Sequence, residues 1–464
     1  MKIDYPFSNH MVLQRNKRII ISGQSDDRKV DMMICGKKYT SQVDHHHWQI
    51  EVQFDFYGGP YEMIFNSGDE TIVYDDILIG DVFLAAGQSN MEMTLSQTDE
   101  KQLPVYKDHV RFLNVPQYSY PFNQKEQTWQ KLTKDNSGEL SAIAAFFSYY
   151  LQVDVPLGII SNNKGGTSAS CWMSETYLKK DEEIKKAYWD DYYDGLPSIE
   201  QQKKNAIEYY QLFDNYQEKF KHYQSEHKEM SLSQIKNKIG HTPWPPPKGI
   251  YDFGKPSGLY EHMFKKTLNY PIKAILYYQG EEDSSRYMHY QKLLSLLIDN
   301  WREDYKECVP FIIIQLPEYQ NSHFSEVRLA QWQVSKEKEN TYLVVSLLTG
   351  NPTYIHPTRK QELARRIAMS VEKNIYHHVA SVSPEIKNIE QEENDVVIYF
   401  DQLLKPGHVH FVVDLQSVEG IIKDCYIKIP VSSYYEIDYA LDDCPQVEIM
   451  NLDGLPCSPF ILKK

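Results

Sequence analysis

The sequence predicts an α/β protein built on a parallel sheet and flanked by additional β units. Three observations predict it: short apolar runs alternate with helix-spaced segments through the middle of the chain, β-rich stretches precede and follow them, and a polar helical stretch interrupts them. The apolar runs are Asp81–Ala86, Val155–Ile160, Ile272–Tyr277, Pro310–Ile314 and Tyr342–Ser346. Strands buried on both faces of a parallel sheet have this continuous apolar texture. Between them Tyr290–Trp301 and Gln361–Lys373 carry the 3.6-residue period of helices.

The remaining elements follow in chain order. Residues 1–78 contain Arg18–Gly23, Val30–Cys35, Trp48–Phe54 and Tyr61–Phe65, β-branched and aromatic runs separated by Gly and Asn-Ser-Gly breaks, which predict a small β-sandwich. Residues 79–374 form the expected α/β core. Within it, 175–250 are rich in Lys, Glu, Gln and Tyr and end in Thr242-Pro-Trp-Pro-Pro-Pro-Lys248, so a helical insertion forming a lid or wall is expected, with a structureless loop as the other reading. Residues 375–464 return to strands (Val396–Phe400, His408–Val413, Tyr426–Ile429 and Val447–Met450) and predict a second β unit.

Composition excludes several classes. Lys plus Arg number 49 against 64 Asp plus Glu, for a net charge of -15, and an acidic surface repels nucleic acid and anionic lipid. No apolar run approaches the roughly 20 residues that span a bilayer. The six cysteines are scattered without a Cys-x-x-Cys pair, and the opening Met1–Asn16 is polar where a leader would be apolar, so a soluble protein of the cytoplasm with reduced thiols is expected. His45–His47 are successive and cannot face one metal from a strand; His408 and His410 share a strand face without a visible third ligand. No metal site is expected.

Four segments carry chemistry. In Ala85-Ala-Gly-Gln-Ser-Asn-Met91 an apolar strand runs into a turn bearing Ser89, at the sheet edge where ligands of open α/β sheets bind. Ser89 there is either a nucleophile or the cap of the next helix. Asn162-Asn-Lys-Gly-Gly-Thr167 follows another buried strand and allows a tight turn with exposed N–H groups, at Gly165 and Gly166. Gln279, in Tyr277-Tyr-Gln-Gly-Glu-Glu-Asp283, ends a third strand with an amide able to donate into the same cleft. His356, in Ile355-His-Pro357, follows the last core strand at the same edge, and histidine is the usual proton carrier near neutrality.

Taken in order these segments resemble the SGNH-hydrolase superfamily, and within it the sialate O-acetylesterase family, related to acetylxylan esterases. Further matching stretches are Met11–Arg15, Leu78–Val82, Trp172 downstream of Gly165-Gly-Thr167, Pro256–Tyr260, Trp301-Arg302, Gln315-Leu-Pro317 and Asn451–Pro456. The resemblance implies a three-layer α/β/α core that hydrolyses O-acetyl esters of a carbohydrate, sialic acid first, without metal or organic cofactor. Ser89 would be the nucleophile and His356 its base. The N–H of Ser89, those of Gly165 or Gly166, and the Gln279 side chain would form the oxyanion hole. Glu281 and Trp172 would bind substrate or anchor turns. One departure stands out: the family pattern places an aspartate two residues before the histidine, where this chain has Tyr354. Three readings are open: a backbone carbonyl of the 350–354 turn orients the imidazole, a carboxylate from elsewhere does, or activity is weak or lost. The sequence leaves oligomeric state open.

Overall fold

The computed structural model describes residues 1–118, 124–227, 229–230 and 232–464. Near the N-terminus, Lys2–Ile3, Arg18–Gln24 and His47–Gln53 form a three-stranded sheet. Alternate residues of the latter two strands are buried, the period-2 signature of a half-buried sheet. Their inner face meets a second sheet, with the Trp48 and Phe65 rings 5.8 Å apart across the interface.

That second sheet is continuous with the core. The 18-residue strand Glu70–Gly87 pairs through its first half with the antiparallel strand Gly58–Ser67, then runs fully buried from Ile77 to Gly87 between parallel neighbours. It passes residue 78 without a break, so one eleven-stranded sheet spans the sandwich and the core. Asp81 fastens the junction: its buried carboxylate accepts from Arg15, Gln14 and Tyr376.

The parallel strands lie in the order Val110–Asn114, Leu157–Asn163, Glu70–Gly87, Ala274–Tyr278, Phe311–Ile314, Thr341–Val344. Five of the six coincide with the apolar runs. Val110–Asn114 is masked in the sequence by Arg111, a buried cation satisfied by Asp76. Phe83 meets Phe147 of the helix Ala142–Tyr150, while Tyr277, in register with Ala86, meets Trp301 of the helix Tyr287–Tyr305. Phe83 and Ala86 are three residues apart on one strand and so project from opposite faces, which places helices on both sides of the sheet. The helix Gln361–Asn374 packs with Ala142–Tyr150, and Phe324–Glu337 packs with Tyr287–Tyr305.

The insertion is helical, dominated by the 28-residue helix Ile199–Glu226, whose N-terminus is capped by Ser198. Gln202, Ala206 and Tyr210, spaced by four, form its buried stripe. The C-terminal unit is a seven-stranded antiparallel sheet with its own apolar core. It docks on the helix Phe324–Glu337, where buried Arg328 donates to the carbonyls of Pro317, Asp442 and Asp443. The Asn451–Pro456 stretch is a clasp: Asn451 donates to Ser381, Val382 and Gln402 and accepts from Leu455.

Candidate active site

The strand Glu70–Gly87 ends where the chain order of the sheet reverses, the position at which open α/β sheets bind ligands. Its exit depends on Gly87, which has φ +136°, and a Cβ there would lie 2.0 Å from the Tyr278 carbonyl oxygen. Gln88 then reaches sideways, its side-chain oxygen accepting from the N–H groups of Gly280 and Glu282. Ser89 opens the short helix Ser89–Glu92, so its own N–H has no intrahelical acceptor.

Ser89 Oγ lies 2.8 Å from His356 Nε2, although 267 residues separate them. Both line a cavity of about 550 Å3, together with Gly165, Gly166, Glu281 and Glu282 from the core and Tyr209, Phe213, Lys236 and Trp244 from the insertion. The insertion therefore walls the cleft: Tyr209 and Phe213, one helical turn apart, face it from the helix Ile199–Glu226.

The loop carrying His356 is fixed at two points. Glu318 accepts from the N–H groups of Leu348 and Gly350, and Asn90 donates to the carbonyl of Ile355 at 3.0 Å. Asn90 is wholly buried; it also donates to Glu281 and accepts from Lys360 Nζ, both at 2.6 Å. Burial drives these two charged groups toward neutrality, lifting Glu281 to about 7 and lowering Lys360 to about 7. Burial, then the positive charges of Lys360 and Lys236, pushes His356 down to about 4.

The imidazole Nδ1 has no carboxylate or carbonyl acceptor among the described residues. Among the described residues, neither a carbonyl of the 350–354 turn nor a substitute carboxylate holds the ring. Tyr354 instead meets it edge-on, with ring centroids 6.0 Å apart.

Two members of the expected oxyanion hole need correction. The Gly165 N–H donates to Glu92 and is not available. Gln279 is fully buried and spends its amide hydrogens on the Thr167 carbonyl and on Asp283, at 3.2 and 2.6 Å, because its side chain turns beneath the cleft. Trp172 is likewise buried, its indole N–H donating to Thr167, and it anchors the turn without reaching substrate. The Gly166 N–H has no acceptor among the described residues, and Gly166 lines the same cavity as Ser89. Glu281 borders the cavity while it accepts from Asn90.

Sequence reasoning passed over Lys360 and Lys236 and gave Asp283 less weight than Glu281. Asp283 is buried and accepts from Ser168, Ala169 and Gln279, pinning the glycine turn from below. Its place in the Tyr277–Asp283 segment was the available signal. Lys360 reads only as a helix start, and Lys236 lies in the insertion, where no motif marks it.

A family model described as carbohydrate esterase, sialic acid-specific acetylesterase, matches residues 247–371. Sialate O-acetylesterase of Mus musculus is 25% identical over 431 residues, covering 79% of this chain and 72% of that protein. The Rattus norvegicus sialate O-acetylesterase is 25% identical over 423 residues, with the same shares covered. The crystal structure of a carbohydrate acetylesterase from Xanthomonas citri has the same fold, with a TM-score of 0.77 at 22% identity over 100% of this chain and 99% of that one. The chain is a carboxylic ester hydrolase. The relatives it resembles include sialate O-acetylesterases, and residues 247–371 match the model described as a sialic acid-specific acetylesterase.

Proposed function

We propose that this protein hydrolyses O-acetyl esters of a carbohydrate, sialic acid first among them, through a Ser89–His356 dyad in an SGNH-type core. The observation that carries this reading is the 2.8 Å contact between Ser89 Oγ and His356 Nε2 beside an open N–H donor at Gly166. Ser89 Oγ attacks the acetyl carbonyl while His356 Nε2 takes its proton. Negative charge gathering on the carbonyl oxygen is met by the N–H groups of Ser89 and Gly166. His356 returns the proton to the departing sugar oxygen, leaving Ser89 acetylated. A water molecule, deprotonated by His356, then attacks the acetyl carbon, acetate leaves, and His356 returns the proton to Ser89 Oγ.

Sialic acid is supported by the family match and by charge at the cleft. Lys164 and Lys236 both line the cavity, and neither is in an ion pair with a carboxylate among the described residues. They offer positive charge to a substrate carboxylate despite the acidic whole. The six unpaired thiols support a reducing compartment such as the cytoplasm.

Acetyl release from p-nitrophenyl acetate and acetylated sugars tests the reading, with a mass-spectrometric search for acetylated Ser89. The Ser89→Ala variant is expected to lose roughly a million-fold in kcat. A preference for acyl chains longer than about four carbons, or for non-sugar acetyl esters, overturns the substrate class. The unpartnered Nδ1 of His356 favours a second reading, a sugar-binding homologue without catalysis, and turnover that disappears in Ser89→Ala eliminates it.

A further inference from the structure

A second cavity, of about 400 Å3, adjoins the catalytic cleft. The two share Gly166, Trp244, Phe253 and Glu282 as lining, so a single ligand can extend from one into the other past the Trp244 indole. The far side comes from Tyr188 and Tyr192 of the insertion and from Ser285 and Arg286 behind the Glu281–Asp283 turn.

Three observations give the second cavity a chemistry. Trp244 is 51% exposed, whereas Trp129, Trp172 and Trp301 are fully buried, so a broad apolar ring lies open at the junction. Such a surface suits the C–H face of a sugar ring. Glu282 is the second observation. Its N–H is held by Gln88, which fixes the residue, yet its carboxylate has no hydrogen-bond donor or ion-pair partner among the described residues. Burial, then the charge of Asp283, raises it to about 7. A half-buried carboxylate in that condition is satisfied by ligand hydroxyls, which donate to it two at a time.

Charge is the third. The cations here are already engaged: Lys248 and Arg286 each lie 3.9 Å from Asp191, and each covers a tyrosine ring, Tyr192 and Tyr188 respectively. Against them stand Asp191, Asp252 and Glu282, so no surplus positive centre awaits an anion. This contrasts with the catalytic cleft, where Lys164 and Lys236 have no carboxylate partner.

We propose that this second cavity is a subsite for an uncharged pyranose glycosidically joined to the acetylated sugar, stacked near Trp244 and donating hydroxyls to Glu282. The proposal rests on the reading of the first cleft as a sugar deacetylation site. It makes the substrate the end of an oligosaccharide or glycoconjugate in preference to a free acetylated sugar.

The test compares kcat/KM for one O-acetylated sugar as a free monosaccharide and as a disaccharide joined to an uncharged hexose, with p-nitrophenyl acetate alongside. Wild type is expected to favour the disaccharide by about tenfold or more. Ser285→Trp, at an exposed position on the second cavity alone, fills it, and Glu282→Ala removes the acceptor; each is expected to bring the ratio to about one. A wild-type ratio near one, or a ratio that neither variant changes, overturns the subsite. Release of acetate from p-nitrophenyl acetate with neither sugar hydrolysed overturns the sugar reading itself, and the subsite with it.

Discussion

His356 sits among groups that oppose its protonation, and this sets the pH behaviour to expect. A general base works in its neutral form, so in the proposed role a pKa lowered from 6.5 to about 4 keeps His356 competent as the medium turns acid. We expect kcat/KM for p-nitrophenyl acetate to stay level from about pH 7 down to about pH 5, with the acid limb near 4. An acid limb near 6.5 contradicts the charge environment described. The same environment leaves the imidazolium of the transition state without a carboxylate, whose removal from a well-studied triad costs about ten-thousand-fold. Tyr354→Asp restores an acid at the family position and is expected to move the acid limb toward neutrality and raise the rate at pH 8. Gly166 makes a separate demand. It has φ +65°, and a Cβ would come 2.3 Å from the Trp244 ring. Gly166→Ala is therefore expected to misdirect an oxyanion donor and lower kcat by roughly a hundred- to a thousand-fold, measured at saturating substrate.

At the scale of elements, the site depends on how two loops are tied to strand ends. The 346–356 loop carries His356, the proposed base, and Glu318 holds that loop through two N–H groups. Removing that anchor by Glu318→Ala is expected to lower kcat by about tenfold or more, because placement errors near 1 Å are costly, and to speed amide hydrogen exchange across 346–356. Asn90 ties the nucleophile turn to the base loop and to the buried Glu281 and Lys360. Asn90→Ala strands both groups, with an expected loss of about 3 kcal/mol in urea denaturation. The Gly87-Gln-Ser-Asn90 turn was legible because its residue types are forced locally by a strand ending in a tight turn. The direction of the Gln279 side chain was not. Nothing local distinguishes an amide that points into a cleft from one that turns beneath it, and Asp283 with the Thr167 carbonyl decides the matter.

For the whole molecule, the C-terminal sheet has a core of its own and is joined to the rest largely through the helix Phe324–Glu337. Arg328 is the central rivet: wholly buried, pushed down to about 10 by burial, and bonded to backbone carbonyls on both sides of the joint. Arg328→Ala leaves those carbonyls unmet, and a loss of about 3 kcal/mol is expected. Calorimetry is expected to separate an early transition of residues 375–464 from that of the core, and limited proteolysis to release them first. A single unchanged transition contradicts this account of the joint. Composition and period suggest a division into sandwich, core and terminal sheet. The continuity of the first two was not legible, because Glu70–Gly87 changes partners midway while its backbone runs straight on.

The sequence by itself determined most of the core strands and the turns that carry Ser89, Gly165-Gly166 and His356, but it missed the strand Val110–Asn114 and placed one at Val447–Met450, where the structure has only an isolated bridge at Met450. Periodicity of two or 3.6 residues and the glycine demands of strand ends are local properties of the chain. Only the tertiary structure decided that Gly165 and Gln279 are occupied elsewhere, that Lys360 and Lys236 face the base, and that Trp244 stands between two cavities. Burial, charge and hydrogen-bond assignment are set by neighbours hundreds of residues away, and no short stretch of sequence contains both partners.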